Sequence, residues 1–127
     1  MELKTQVHNI PPLYDEKSRV LILGSFPSVK SRQAAFFYAH PQNRFWPTLA
    51  AIFGEETPGT VEEKRSLALR HGVAMWDTIG SCEIVGSSDA SITNVAPNDL
   101  RIILDAADIR AILCNGGASY ESYNQYC

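Results

Sequence analysis

A single α/β domain, built as a three-layer α/β/α sandwich around a mostly parallel sheet, is the architecture this sequence predicts. Three observations carry that reading. The chain has 127 residues, enough for one ordinary domain and too few for two. Three short apolar runs each end in glycine, a carboxylate or an amide, as strands buried on both faces do. Between them fall segments whose apolar residues repeat with helical spacing, and alternation of this kind builds a parallel sheet with helices packed on it.

The first run is Arg19-Val20-Leu21-Ile22-Leu23-Gly24. Trp46, Leu49, Ala50 and Phe53 then mark one face of a helix that Gly54 is placed to stop. Thr60-Val61-Glu62-Glu63 reads as a capping box that opens a helix through Leu67 and Arg70 to Gly72. The second strand follows as Gly72-Val73-Ala74-Met75-Trp76-Asp77. Asn98 is positioned to cap a helix carrying Leu100, Ile103, Leu104 and Ala107. The third strand, Ala111-Ile112-Leu113-Cys114-Asn115, runs into Gly116-Gly117, and Ala118-Ser119-Tyr120 opens a last helix. Right-handed crossovers place all the strand carboxyl ends, and with them any site, along one edge. Three strands leave a long open edge, and the chain reaches Cys127 partway through the last helix, so the domain, residues 1–127, is expected to lack its C-terminal part.

Composition narrows the function classes. With 45% hydrophobic and 20% charged residues the chain is globular rather than disordered. No apolar run is long enough to span a bilayer, and Met1–Gln6 lacks the apolar stretch of a secretion signal, so a cytoplasmic protein without a membrane partner is expected. Cys82, Cys114 and Cys127 form no Cys-x-x-Cys pair and the three histidines are scattered, so no metal site is expected. The net charge is −3, yet residues 17–54 contain no acid while holding Lys17, Arg19, Lys30, Arg32 and Arg44. Such a segment can form a one-sided anion-binding face, or can simply reflect a buried strand and its neighbours.

The densest cluster of unusual residues follows the first strand. Gly24-Ser25-Phe26-Pro27-Ser28 turns the backbone sharply at a strand end, and Phe36-Phe37-Tyr38-Ala39-His40-Pro41-Gln42-Asn43-Arg44-Phe45-Trp46 interleaves aromatics with cations. There is no G-x-G-x-x-G and no lysine-bearing phosphate loop, so the common nucleotide cofactors are not expected. The aromatics suit a stacking platform for a base beside a phosphate, and equally suit a core. Asn43 likewise has two readings: a helix cap just before the helix of Trp46 and Phe53, or a neutral amide that holds a water or a substrate oxygen.

Leu21-Ile22-Leu23-Gly24-Ser25-Phe26-Pro27-Ser28 followed by His40-Pro41-Gln42-Asn43-Arg44-Phe45-Trp46 closely resembles the hypoxanthine-DNA glycosylase branch of the uracil-DNA glycosylase superfamily. Val73–Asp77, Gly86–Ile92 and Ile112–Gly116 resemble it as well. The resemblance implies a uracil-DNA glycosylase-like fold, with a four-stranded parallel sheet between helices and a DNA site at the strand carboxyl ends. It implies a monofunctional enzyme without metal or other cofactor; a monomer is expected, although the open sheet edge could pair chains. Water displaces a deaminated base swung out of the duplex and leaves an abasic sugar. Relatives mostly place an Asp or Asn just after the first-motif glycine to orient that water. Here Ser25 stands there, and the hypoxanthine branch uses the asparagine equivalent to Asn43 instead.

By the same resemblance, Gly24, Ser25, Phe26, Pro27, His40 and Asp77 are the candidate base-binding residues, with Phe26 stacking on the base and Asp77 accepting from purine N1–H. Asp77 also suits a loop cap. Ser28, Lys30, Arg32, Arg44, Ser87 and Ser88 are the candidate DNA contacts, and Asp89 and Ser91 lie in the polar loop after them. Relatives continue to a fourth strand and to a Ser/Pro-rich loop that enters the minor groove. Nothing here matches that loop, so weak or absent activity on duplex DNA is expected of this chain. A non-catalytic DNA-binding module, a uracil-directed glycosylase and a hydrolase of small nucleosides are the alternatives.

Overall fold

The computed structural model describes residues 4–7, 10–26, 36–39, 43–84 and 92–126. Its centre is the expected parallel sheet. Strands β2 (Val20–Gly24), β3 (Val73–Asp77) and β6 (Ala111–Cys114) lie in the order β3-β2-β6, with Val20 opposite both Val73 and Ala111. β2 is central, and its run of branched residues has little polar surface to hide: Leu21 and Leu23 are fully buried. The free side of β3 is covered by Leu13, which exchanges two backbone hydrogen bonds with Met75 at 2.9 and 2.8 Å.

The helices follow the periodicity of the sequence. Helix α1 spans Phe45–Ile52 and buries Trp46, Leu49 and Ala50, with Gly54 in the left-handed region (φ +66°) just beyond its end. Helix α2 spans Val61–Arg70, and Thr60 accepts from the Glu63 amide as a capping box requires. Helix α4, Gly117–Tyr126, packs back on β6 and β2, where the buried Ser119 hydroxyl donates to the Leu23 carbonyl at 2.7 Å.

One expected helix is cut short. Helix α3 covers only Arg101–Leu104, and Asn98 does not cap it. The Asn98 amide instead donates to the carbonyls of Asp77 (2.9 Å) and Ile79 (3.3 Å), while Asp99 accepts from the Arg101 amide. The cap position falls on Leu100, which makes no side-chain cap bond, and Asn98 is left to pin the corner where β3 turns into β4.

That corner begins a second sheet, which local pattern does not announce. Strands β1 (Lys4–Val7), β4 (Ile79–Ile84) and β5 (Thr93–Pro97) pair antiparallel in the order β1-β4-β5. Their sequences are half polar and β4–β5 is irregular in register, so no run of branched residues marks them.

The main core gathers β2 and β3, α1, α2 and the aromatics after β2, with Ile112 of β6 packed against it; Leu113 of β6 is 55% exposed, so burial on both faces, expected of all three runs, does not extend to this strand. Phe36 and Phe37 belong to it, each 3% exposed, so for these two rings the core reading holds. Trp46 stacks on Phe36, with ring centroids 5.8 Å apart, and its indole N–H donates to the Phe37 carbonyl at 3.0 Å. Trp46→Phe removes that donor along with ring volume. We expect it to cost about 2–4 kcal/mol of unfolding free energy, read from urea denaturation.

A separate latch joins the helix ends. Glu55 accepts from Arg70 and from His71, and His71 stacks flat on Phe53 with centroids 3.9 Å apart. The Arg70 hydrogen bond, and after it that of His71, holds the Glu55 carboxyl below its ordinary 4.5. A depressed carboxyl stabilises the fold above its ordinary value and loses that contribution as pH falls through the lowered one. Glu55→Gln is therefore expected to lower Tm at pH 7, and the gap from the unaltered chain should close as the pH drops below about 4.5. High salt should shrink the gap, since the latch is solvent-exposed.

Candidate active site

The parallel strands deliver their last residues to one edge. Gly24 ends β2 directly opposite Asp77, the end of β3, and Asn115 follows the end of β6 with its amide bonded to the Leu23 carbonyl at 2.7 Å. Past the strand ends the backbone pairing continues, from the Thr78 amide to the Gly24 carbonyl and from the Ile79 amide to the Ser25 carbonyl (2.9 and 3.0 Å). This ties the turn after β2 to the start of β4 and makes the edge stiff.

Asp77 is 4% exposed and leans across Gly24, where a Cβ would overlap its carboxylate. Gly24 is thus needed for close approach, not for a turn. The Tyr38 hydroxyl reaches the same point, 3.5 Å from where that Cβ would stand, and accepts from the Asn115 side-chain amide at 3.1 Å. Tyr38 is half-buried and has the positive φ (+53°) that non-glycine residues seldom adopt. Burial, and after it the negative charge of Asp77, pushes its phenol up to about 12.

Asn43 lies just ahead of α1. Its Oδ1 accepts from the Phe45 amide at 2.8 Å, and its side chain is exposed. The cap contact therefore exists, while Arg44, at the cap position itself, makes no side-chain cap bond. With Arg44, Phe45 and Asn115, Asn43 lines a mainly apolar groove of about 600 Å³ between α1 and the strand face of Val20, Ile22 and Leu113. Asn115 thus borders both the groove of Asn43 and the corner of Tyr38, Gly24 and Asp77.

Other expected residues are placed differently. Phe26, expected as a stacking ring, is 9% exposed and packs with Ile79 and Cys82 in a second small apolar cluster. Ser25 is 8% exposed. Arg44 is exposed at the head of α1, whereas Lys17 and Arg19 stand before β2, at the end of the sheet away from the Gly24 edge, so the acid-free segment does not bring all its cations to one face. Pro27, Ser28, Lys30, Arg32, His40, Ser87, Ser88, Asp89 and Ser91 lie outside the described residues. Among the described residues no group of three or more His, Cys, Asp or Glu side chains is arranged to hold a metal, and no helix is long and apolar enough to cross a membrane.

Sequence reading passed over Tyr38 and Asn115. The signals available were a polar residue directly after the third apolar run and a tyrosine inside an otherwise hydrocarbon aromatic cluster.

An α/β domain whose polar side chains gather at the carboxyl edge of a parallel sheet is of the ligand-binding kind, with its site at that edge. The family model of the uracil DNA glycosylase superfamily matches residues 11–126, and the chain belongs to that superfamily. It is 34% identical over 113 residues to a hypoxanthine DNA glycosylase of Methanosarcina barkeri, covering 87% of this chain and 72% of that protein. A hypoxanthine DNA glycosylase of Methanosarcina acetivorans is 29% identical over 114 residues, covering 89% of this chain and 72% of its own length. The solution structure of a candidate uracil DNA glycosylase from Methanosarcina acetivorans superposes with a TM-score of 0.80 at 27% identity, across 96% of this chain and 76% of that one.

Proposed function

We propose that this protein is a monofunctional DNA glycosylase that hydrolyses the N-glycosidic bond of hypoxanthine in DNA and leaves an abasic sugar. The observation that carries the reading is the place of Asn43. This amide stands at the head of α1, on the same groove as Asn115, which also bounds the corner of Gly24, Tyr38 and Asp77. The names of the two Methanosarcina relatives favour hypoxanthine over uracil, as does Ser25 at the position where uracil-directed relatives carry Asp or Asn.

The chemistry suits an amide. As the C1′–N9 bond breaks, its electron pair leaves with the purine and the sugar takes on oxocarbenium character. Water then bonds to C1′, and its surplus proton goes to the departing base or to solvent. A sugar cation is reactive enough that the water needs orientation more than deprotonation. The Asn43 carbonyl oxygen has two lone pairs. One accepts from the Phe45 amide, which fixes the side chain, and the second can accept from the water. The helix cap and the catalytic contact are then one device.

Arg44 is a phosphate contact in this reading, and Asp77 accepts from purine N1–H. The test is release of hypoxanthine from a duplex with one deoxyinosine, with protein in excess over DNA so that slow turnover is still seen. Alkali-sensitive strands should accumulate on the inosine duplex well ahead of a uracil or an unmodified duplex. Cleavage of the uracil duplex alone, or release of base from free inosine alone, would replace this reading with one of its alternatives.

A further inference from the structure

Tyr38 is held more tightly than a packing residue needs to be. Its left-handed backbone is unfavourable for a residue with a Cβ and persists only where neighbours over-determine it. Three contacts do so: the Trp46 indole N–H on the Phe37 carbonyl at 3.0 Å, the Phe45 ring stacked on Tyr38 at 4.0 Å, and the Asn115 amide on the Tyr38 hydroxyl at 3.1 Å. The first two would hold a phenylalanine equally well. The third acts only on the oxygen, and it fixes a direction. Because the Asn115 amide gives its hydrogen to the phenol oxygen, the phenol keeps its own proton to give elsewhere.

We propose that the Tyr38 hydroxyl, steered by Asn115, donates a hydrogen bond to the carbonyl of the target base, while the Asp77 carboxylate beside it accepts from the adjacent ring N–H. This inference rests on the glycosylase reading above and deepens it by naming the side chain that reads the carbonyl of the base and the one that orients it. The hydroxyl and the carboxylate both come within 3.5 Å of the point where a Gly24 Cβ would stand, so a donor and an acceptor lie side by side at the strand ends. That order is complementary to the C6 carbonyl and N1–H of hypoxanthine. Adenine presents the reverse, an amino donor towards the phenol and a bare nitrogen towards the carboxylate, so both contacts fail together. Rejection through mismatched polar pairs is far stronger than rejection by shape alone. The phenol pushed up to about 12 stays protonated across physiological pH and remains a donor. Asn115 is a positioning residue here, and Tyr38 a specificity-determining one.

The experiment pairs a protein change with a substrate change. Tyr38→Phe is compared with the unaltered protein on duplexes carrying deoxyinosine or deoxynebularine, the purine nucleoside without the C6 oxygen. Release of hypoxanthine should fall about 10-fold or more, while release of the unsubstituted purine should hardly change. Asn115→Asp offers the phenol proton an acceptor inside the protein, so it should give the same substrate-dependent loss with the ring still present. Thermal unfolding of both variants checks that they fold. Affinity for duplexes carrying the hydrolysis-resistant 2′-fluoroarabino forms of the two nucleosides reads the same contrast without turnover. If the unaltered protein releases no base yet binds with that contrast, the glycosylase reading fails and this inference stands. Equal effects of Tyr38→Phe on both nucleosides, in release and in binding, would overturn it.

Discussion

Asn43→Ala is expected to slow release of hypoxanthine about 10²–10³-fold in single-turnover assays, the usual scale for losing one oriented polar contact in a transition state. The same change removes the acceptor for the Phe45 amide, so it carries a stability cost as well. For a cap that cost is at most about 2 kcal/mol, which leaves the protein folded at assay temperature. The two effects separate in one pair of measurements. Asn43→Ser keeps an oxygen able to cap the helix and should recover most of the lost stability. If it also recovers full base release, the residue is a cap and no more. If stability returns while release stays low, the longer amide side chain itself orients the water.

Gly24→Ala should have an effect of similar size for a different reason. The new methyl group would occupy the place of the Asp77 carboxylate oxygen, with the Tyr38 hydroxyl in ordinary van der Waals contact beside it. Gly24 and Asp77 are register partners in adjacent strands tied by the pairing that continues beyond them, so the backbone cannot yield easily. Overpacking of this kind costs about 1–3 kcal/mol. Displacing a base-reading group by about 1 Å costs on the order of 10² in rate. We expect Gly24→Ala to be destabilised and nearly inactive on the inosine duplex. Adding Asp77→Ala should restore much of the stability, with a coupling energy of about 1 kcal/mol or more, and should not restore activity. Additive losses in the double variant would mean that the methyl group is accommodated without moving the carboxylate.

These two predictions draw on information of different kinds. Asn43 stands out in the sequence because it directly precedes an amphipathic helix, inside a string that resembles a known branch of glycosylases. The clash at Gly24 is invisible there: Gly24 and Asp77 are 53 positions apart, and only the parallel register brings them together. The same holds for Asn98, which local pattern makes a helix cap and the fold makes a clamp on the Asp77 and Ile79 carbonyls. The cap itself falls on Leu100 without a side-chain bond, because the Asn98 amide is drawn to acceptors supplied by a distant strand end.

The parallel sheet, the helices α1 and α2 and the position of the site edge are local matters. Burial on both faces demands continuous branched runs, helical burial demands a 3.6-residue stripe, and capping boxes and left-handed glycines punctuate both, so each element carries its own mark in the chain. The antiparallel sheet, the burial of Phe26 and the meeting of Tyr38, Asn115, Gly24 and Asp77 at one corner carry none. They arise from strand register and from hydrogen bonds between residues far apart in sequence. Half-polar strands are stabilised by their partners more than by their own residues, and a side chain's direction at the end of a strand is set by whatever the neighbouring strand places beside it.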